Sequence, residues 1–324
     1  MDEMMTEFSL GKANLEVFAD SLLEYGKNDR NIIVVTSDSR GSGKLTGFGK
    51  QLPDQMVEIG IAEQNLVGVA AGLASAGKKP FAVSPACFLT ARALEQIKND
   101  VAYSNQPVRL VGISAGVSYG ALGTTHHSLH DFAVLQAINN ISIVAPADNN
   151  ETRAAILTAC ELNQPLYLRF GKKPMPNLPF TQGDFQFGKG RVLREGDDIA
   201  FIASGETVLP AFMAAGKLAD QGIESTVISM HTLKPLDTDL LAEIATQCRA
   251  MITVEEHSVH GGLGSACASF LLQSGYHKPF RIVGIPDEPT VNGSQQEIFK
   301  HYGITADGLA DIAMNILGEK ELLA

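Results

Sequence analysis

Residues 56–84 read MVEIGIAEQNLVGVAAGLASAGKKPFAVS and indicate the fold class. The β-branched residues of Val57–Ile59 predict a strand, and the small apolar residues of Ala62–Ala76 predict a helix that ends at Gly77. Pro80–Ser84 predicts the next strand. A strand, a helix and a second strand in this order form a right-handed crossover, which makes the two strands parallel neighbours in one sheet.

The same alternation continues in both directions along the chain. Further strands are predicted at Ile32–Thr36, Val108–Ile113, Ile141–Ala145, Leu166–Phe170, Ile199–Ala203, Ser225–Met230, Met251–Glu255 and Phe280–Ile285, and a helix at Glu151–Leu162. Several of these strands are continuously apolar, which is typical of strands covered by helices on both faces. We therefore predict an α/β protein with two doubly wound domains. A segment rich in proline and glycine places the boundary between them, with domains at 1–175 and 191–324 and a linker at 176–190.

The composition excludes several classes of protein. The 324 residues are 45% hydrophobic, which is enough for large cores and excludes a mostly disordered chain. Lys plus Arg number 25 and Asp plus Glu number 36, and the net charge of −11 is opposite to that of proteins that coat nucleic acid or membranes. The four cysteines are widely spaced and predict buried thiols in a reducing compartment. The first ten residues lack the apolar segment of a signal peptide, so we expect a cytoplasmic protein.

Two features of the pattern are candidates for a functional site. Glu63 lies where a strand gives way to a helix, and loops of this kind bind ligands in open α/β sheets. It could equally be a favourable charge in a first helical turn. Three histidines fall within residues 126–130, in a loop rich in glycine and threonine that is either an active-site wall or a polar surface turn. His257 and His260 have no further ligand cluster in the sequence, so we predict no metal site in this chain.

Several motifs, taken in order along the chain, resemble those of the transketolase family. The motifs are Gly60–Asn65, Phe88 with Arg92–Ile97, Gly116–Ser118, Thr125-His126, Pro146–Asp148 and Tyr167–Gly171. They resemble the pyrimidine-binding domain of these thiamine-diphosphate enzymes, and residues 255–265 resemble their C-terminal domain. The resemblance covers nearly the whole chain and implies the two α/β domains predicted above.

One fingerprint of the family is missing. The family holds the diphosphate and Mg²⁺ with Gly-Asp-Gly followed by an asparagine, and no Gly-Asp-Gly occurs in the sequence. The resemblance therefore implies that this chain is the C-terminal subunit of a split, two-chain transketolase. It further implies an N-terminal partner subunit that binds most of the thiamine diphosphate and Mg²⁺, with an α2β2 heterotetramer as the expected assembly.

The resemblance also assigns residues to the cofactor. Glu63 matches the carboxylate that hydrogen-bonds N1′ of the aminopyrimidine and favours the 4′-imino form, whose nitrogen takes the thiazolium C2 proton. Phe88 matches the aromatic that stacks on the pyrimidine. Asp38 falls where the family places a carboxylate on the cofactor side.

Other positions are implied to contact a sugar phosphate. His126 matches the histidine that faces the substrate, and Arg169 matches the arginine that holds the phosphate of the acceptor. Ser42 falls where the family has a phosphate-contacting serine. Leu122 replaces the aspartate that reads a hydroxyl group of the donor, and Ser114 replaces a histidine that helps to hold phosphate. We therefore expect a donor other than xylulose 5-phosphate, with altered groups around C3–C4, for example a branched or modified ketose.

Two other functions remain in competition. A β subunit of the decarboxylase component of a 2-oxo-acid dehydrogenase complex has a similar length and domain order, but the residues around Phe88 and Tyr167–Gly171 follow the transketolase pattern better. A catalytically silent regulatory subunit is the third hypothesis. The presence of Glu63, Phe88 and His126 argues against it.

Overall fold

Two mostly parallel sheets form the framework of the molecule. The computed structural model describes residues 9–179 and 184–318. The strands are β1 (Leu10–Ala13), β2 (Ile32–Thr36), β3 (Met56–Glu58), β4 (Lys79–Pro85), β5 (Arg109–Ile113), β6 (Ser142–Val144), β7 (Leu166–Phe170), β8 (Pro174–Pro176), β9 (Arg191–Arg194), β10 (Ile199–Ala203), β11 (Ser225–Ser229), β12 (Thr232–Lys234), β13 (Ala250–Ser258) and β14 (Phe280–Ile285).

Helices follow most of these strands and cover both faces of the sheets. They are α1 (Asn14–Asn28), α2 (Thr46–Gln51), α3 (Glu63–Ser75), α4 (Ala86–Arg92), α5 (Leu94–Gln96), α6 (Asp131–Gln136), α7 (Asn149–Glu161), α8 (Val208–Ala219), α9 (Thr238–Gln247), α10 (Leu263–Gln273), α11 (Gln295–His301) and α12 (Ala306–Gly318). The turns after α5 are π-helical over Ile97–Tyr103. Local capping explains some of the helix starts: the Asp148 carboxylate accepts from the backbone N–H groups of Asn150 and Glu151 at the start of α7.

The order of the strands confirms the predicted fold class. The first sheet runs β12-β6-β7-β5-β4-β2-β3, and the second runs β14-β13-β10-β11-β9. All neighbouring pairs are parallel except two at sheet edges, β12 with β6 and β9 with β11. The two antiparallel edge strands, β9 and β12, are not among the strands predicted from the sequence. A two-stranded antiparallel pair of β1 and β8 lies apart from both sheets.

The two halves of the chain share part of their core. Strand β12 comes from the second half but pairs with the first sheet. One continuous cluster of buried side chains includes Leu135 and Ile143 of the first half together with Met230 and Leu233 of the second. The ammonium group of Lys234 donates to the backbone carbonyls of Leu135, Gln136 and Ile138 at the end of α6. These contacts fix the second half against strand β6 and the end of α6 in the first half.

The predicted linker is bound to both halves where the structure describes it. Pro174–Pro176 pairs with Leu10–Ala13, and the Leu178 N–H donates to Asp148 Oδ2 over 2.9 Å. On the other side of residues 180–183, which lie outside the described part, the Gly190 N–H donates to an Asp237 carboxylate over 2.9 Å. The division into domains at 175 and 191 stays a prediction.

Candidate active site

The carboxyl ends of β2, β3 and β4 bring several predicted residues to one edge of the first sheet. Because parallel strands end at the same edge, the loops that follow them meet there. They surround a cavity of about 250 Å³, which we call the Glu63 cavity, and its lining includes Asp38, Ser42, Glu63, Phe88 and Arg92. The structure therefore brings together four of the side chains predicted from the sequence and adds Arg92.

Glu63 is a buried carboxylate at the first residue of α3. Its side chain is 4% exposed, and both carboxylate oxygens accept from Arg92 Nη1, at 3.1 and 3.2 Å. The helix N-terminus favours a negative charge at this position as well. Arg92 is 50% exposed, so the pair joins a buried anion to a cation that reaches solvent. Burial in the wall of a cavity distinguishes Glu63 from an ordinary surface residue of a first helical turn.

Phe88 and Arg92 form one face of α4, since they are four residues apart. The Arg92 guanidinium carbon lies 4.2 Å from the centroid of the Phe88 ring, a cation–π contact. Phe88 is half-buried and contributes to the Glu63 cavity. It is therefore a wall residue with an accessible aromatic surface. The sequence motif contained Arg92, but no site role was predicted for it; its helical spacing from Phe88 was the available signal.

His126 extends this wall. Its ring lies edge-on to Phe88 at 5.3 Å and to Tyr119 at 5.4 Å, measured between ring centroids. Its Nδ1 is 3.0 Å from the Thr125 hydroxyl, which holds the ring in place. The ammonium group of Lys172 lies 4.6 Å from the centroid of the Tyr119 ring. Lys172 was not predicted, and it brings a positive charge to the end of the wall.

Asp38 occupies a strained backbone position beside a second carboxylate. Its φ is 55°, a conformation that non-glycine residues rarely adopt, and its N–H donates to Glu58 Oε1 over 2.7 Å. Glu58 also accepts from the Thr36 hydroxyl at 2.6 Å and the Gly60 N–H at 3.0 Å. Burial opposes ionisation of Glu58, but these three donors hold its pKa below the usual value. Asp38 and Ser42 are themselves exposed at the rim.

The three histidines in the loop of residues 120–130 have different surroundings. Leu122 lies in a short helical turn and is 57% exposed. His127 is buried, and its Nε2 donates to the Gly120 carbonyl over 2.9 Å, which holds the turn. Burial lowers the pKa of His127. His126 faces the aromatic wall. His130 lines a second cavity of about 310 Å³, which we call the His130 cavity. Phe88 and Arg92 line this cavity as well.

Arg169 does not join these residues at an open surface. Its side chain is 6% exposed, and Nε donates to Asp131 Oδ2 over 2.8 Å. Nη2 donates to the Glu256 carbonyl over 2.7 Å, which ties the first half of the chain to the second. Since Asp131 and Glu256 raise the pKa of Arg169 further, against the effect of burial, the guanidinium is a fixed structural cation. The sequence-based assignment of Arg169 to a substrate phosphate does not fit this geometry.

Two buried carboxylates, those of Glu206 and Glu256, lie near Arg169 and share one hydrogen-bond donor. The Gln295 amide donates to Glu206 Oε2 and to Glu256 Oε1, at 2.7 Å each. Burial and the nearby Glu206 raise the pKa of Glu256 to about 8, although Arg169 acts in the opposite direction. Glu256 Oε1 also accepts from the Val117 N–H over 2.9 Å, which joins the second half of the chain to the first. The carboxylate pair was not predicted, because the sequence gives no sign of which acidic residues are buried.

Neither a metal cluster nor a membrane span is found in the described ranges. Within residues 9–179 and 184–318, no three His, Cys, Asp or Glu side chains are grouped so that they could hold a metal ion. In the same ranges, every helix is too short or too polar to cross a bilayer. The four cysteines, which are all described, are free and buried.

Family models cover most of the chain. The model described as the transketolase pyrimidine-binding domain matches residues 11–177, and the transketolase C-terminal domain matches residues 188–309. The chain belongs to the transketolase family. This membership confirms the resemblance noted in the sequence and does not favour the alternative of a 2-oxo-acid dehydrogenase subunit.

Several relatives in the transketolase family, named as subunits, are similar along nearly their whole length. An apulose-4-phosphate transketolase subunit of Phocaeicola vulgatus is 45% identical over 302 residues, which are 93% of this chain and 96% of that protein. A 6-deoxy-6-sulfo-D-fructose transketolase subunit of Clostridium sp. is 33% identical, with 94% of each chain covered. Among solved structures, a split-gene transketolase described as an inactive β4 tetramer has a TM-score of 0.87 and 36% identity, covering 95% of this chain and 99% of that one.

Proposed function

We propose that this chain is one subunit of a two-chain, thiamine-diphosphate-dependent transketolase and supplies the residues that face the aminopyrimidine of the cofactor. The observation that carries the proposal is the buried Glu63 carboxylate beside the accessible ring of Phe88, in the wall of one cavity. A flat heteroaromatic ring with a basic nitrogen needs a carboxylate at its edge and an apolar surface against its face. Glu63 and Phe88 offer both, so the residues present fit this half of the cofactor.

The roles that we propose for the side chains of this wall follow from their chemistry. Thiamine diphosphate supplies a carbanion at thiazolium C2 that can carry a two-carbon unit. Glu63 shares a proton with N1′ of the aminopyrimidine, and Phe88 stacks on the ring. Arg92 is hydrogen-bonded to Glu63 and stacked on Phe88, and thereby fixes the position of both side chains. His126, at the end of the same wall, donates to a sugar oxygen as charge develops on it.

The partner subunit holds the diphosphate and Mg²⁺ in this proposal. The sequence lacks Gly-Asp-Gly, and the described residues contain no metal cluster. The rim of the Glu63 cavity carries Ile61, whose side chain is 75% exposed, and an apolar residue at this place is suited to burial by another protein. The related split-gene transketolase is inactive as a tetramer of β chains. We infer an α2β2 assembly in which each site contains residues of both subunits.

For the reaction, we infer transfer of a two-carbon ketol unit from a ketose phosphate to an aldose phosphate. Two features support a donor other than xylulose 5-phosphate, namely Leu122 in place of the family's aspartate and the names of the relatives. We propose apulose 4-phosphate as the donor, by analogy with the 45% identical relative. We propose Lys172, in place of the enclosed Arg169, as a cation that contacts the substrate phosphate, because its ammonium group lies at the end of the aromatic wall, 4.6 Å from the centroid of the Tyr119 ring. The free, buried cysteines support a cytoplasmic enzyme.

Reconstitution with the partner tests the proposed donor. The chain is co-expressed with a transketolase N-terminal subunit, and the purified complex is assayed with thiamine diphosphate, Mg²⁺ and one aldose phosphate acceptor. Apulose 4-phosphate and xylulose 5-phosphate are compared as donors at equal concentration. We expect a higher kcat/KM for apulose 4-phosphate. A preference for xylulose 5-phosphate would reject the donor assignment, and turnover of neither ketose would reject the transketolase activity.

A further inference from the structure

The His130 cavity has a lining suited to a polyhydroxylated ligand. It adjoins the Glu63 cavity, since Phe88 and Arg92 contribute to both. Its remaining polar groups come from Thr124, Thr125, His127 and His130, and the apolar surface between them comes from Phe88, Cys87, Ala91 and Leu129. Hydroxyl, imidazole and guanidinium groups in one small cavity offer both donors and acceptors to a sugar.

The hydrogen bonds of Thr90 define the tautomer of His130. The buried Thr90 hydroxyl donates its single hydrogen to the Ala86 carbonyl over 2.7 Å. His130 Nε2 lies 3.3 Å from the same oxygen, which can then only accept. Nε2 of His130 therefore carries the hydrogen, and in the neutral ring Nδ1 is a hydrogen-bond acceptor.

The backbone around His130 is held on both sides. The Leu129 carbonyl accepts from the Ser258 N–H over 3.1 Å, which anchors the loop to the second half of the chain. The His130 carbonyl accepts from the Val134 N–H over 3.0 Å in the first turn of α6. With its backbone and Nε2 both fixed, the imidazole is positioned before any ligand arrives, which lowers the entropic cost of binding.

We propose that Nδ1 of His130 accepts a hydrogen bond from a hydroxyl group of the ketose donor and contributes to the choice of donor. This inference rests on the proposed transketolase function and assigns a residue to its substrate. Leu122 removes the carboxylate acceptor that the family uses to read a donor hydroxyl. His130 supplies an acceptor from a different position, and the preferred sugar is expected to present its hydroxyl group there.

Two amide replacements of His130 test the roles of its two ring nitrogens separately. In His130→Asn the amide reaches the position of Nδ1, and in His130→Gln it reaches the position of Nε2. The reconstituted complex is assayed with the donor that the wild type prefers, and kcat and KM are measured separately. We expect His130→Gln to lower kcat/KM by about three- to tenfold, the effect of one lost hydrogen bond. His130→Asn retains an acceptor and is expected to stay within about twofold of wild type.

Three controls make the outcome decisive. His277→Asn changes an exposed histidine outside both cavities and is expected to leave the kinetics unchanged. Thr90→Val removes the partner of Nε2, and a loss smaller than that of His130→Gln is expected. Melting temperatures of all variants are compared, so that unfolding is not mistaken for loss of binding.

The results distinguish this inference from the proposed function. An active wild-type complex in which His130→Gln matches wild type would overturn the role of His130 and leave the transketolase activity intact. A His130→Gln variant that is better than His130→Asn would overturn it too, because the contact to Thr90 would then be the important one. An inactive wild-type complex would instead reject the proposed function.

Discussion

At the scale of single residues, the site depends on an ion pair with unequal burial. Glu63 is 4% exposed whereas Arg92 is 50% exposed. The arginine can therefore turn towards solvent while the carboxylate remains buried. A ligand entering the Glu63 cavity meets a carboxylate that stays in place. Glu63, Phe88 and His126 could be singled out from the sequence because each belongs to a motif of the family, and their roles in the reaction stay predictions. The sequence could not predict that Arg169 is enclosed by Asp131 and Glu256, since a buried and an exposed arginine are identical in sequence.

Substitution of Leu122 tests whether this position determines which ketose donor is preferred. We expect Leu122→Asp to raise kcat/KM for xylulose 5-phosphate by about tenfold or more, because the variant restores a charged acceptor for a hydroxyl group. The measurement is the ratio of kcat/KM for xylulose 5-phosphate and apulose 4-phosphate in the reconstituted complex. Leu122→Asn, which is similar in size and uncharged, is the control and is expected to give a smaller change. An unchanged ratio in Leu122→Asp would contradict the role of this position.

Glu256 predicts a pH dependence of stability. Its pKa is raised to about 8 in the folded chain, against an ordinary value of 4.5. Between these values the folded state retains a proton that the unfolded state releases, so this group lowers the free energy of unfolding as pH rises from 4.5 towards 8. Glu256→Gln removes the effect. As the pH rises from roughly 5 to 8, the free energy of unfolding of the variant, measured in urea, is expected to increase relative to that of wild type by at least about 1 kcal/mol.

A matched variant checks the cause assigned to this shift. Glu206→Gln removes the neighbouring charge that helps to raise the pKa of Glu256, and it is expected to weaken the pH dependence without abolishing it. Parallel stability profiles for wild type and both variants would show that the buried pair does not control the pH dependence.

At the scale of helices and strands, the apolar patterns of the sequence predicted several elements well. The strands Ile32–Thr36, Leu166–Phe170, Ile199–Ala203 and Phe280–Ile285 agree with the structure residue for residue. The helix predicted at Ala62–Ala76 is Glu63–Ser75. The short strands β1, β8, β9 and β12 were missed, because each contains at most one β-branched residue and no aromatic residue, so its composition does not indicate a strand.

Asp148 allows a test of one of these elements. Its carboxylate accepts from the N–H groups of Asn150, Glu151 and Leu178, so it caps α7 and also holds the segment that follows β8. We expect Asp148→Ala to lower the free energy of unfolding by about 1–3 kcal/mol, measured in urea. Asp148→Asn retains an acceptor oxygen and is expected to lose less. Equal stability of Asp148→Ala and wild type would contradict the capping role.

At the scale of the whole molecule, the two halves act as one support for the loops of the first sheet. Strand β12, the Lys234 contacts and the Arg169 network all join the second half to that sheet. The second half contributes no residue to the lining of either cavity in the described ranges. Its role in the proposed enzyme is therefore to hold the loop that contains His126 in a fixed shape, through the contacts of Glu256 with the Val117 N–H and of the Ser258 N–H with the Leu129 carbonyl. In that proposal, the partner subunit supplies the remaining contacts to the cofactor.

Turnover of a Glu63→Gln complex tests the central claim most directly. The variant keeps the size of the side chain but cannot exchange a proton with the aminopyrimidine, and general acid–base groups commonly contribute about 10²–10⁴ in rate. We predict a fall of about this size in kcat for the reconstituted complex, with assembly and melting temperature close to those of wild type. Wild-type turnover by the Glu63→Gln complex would contradict the account.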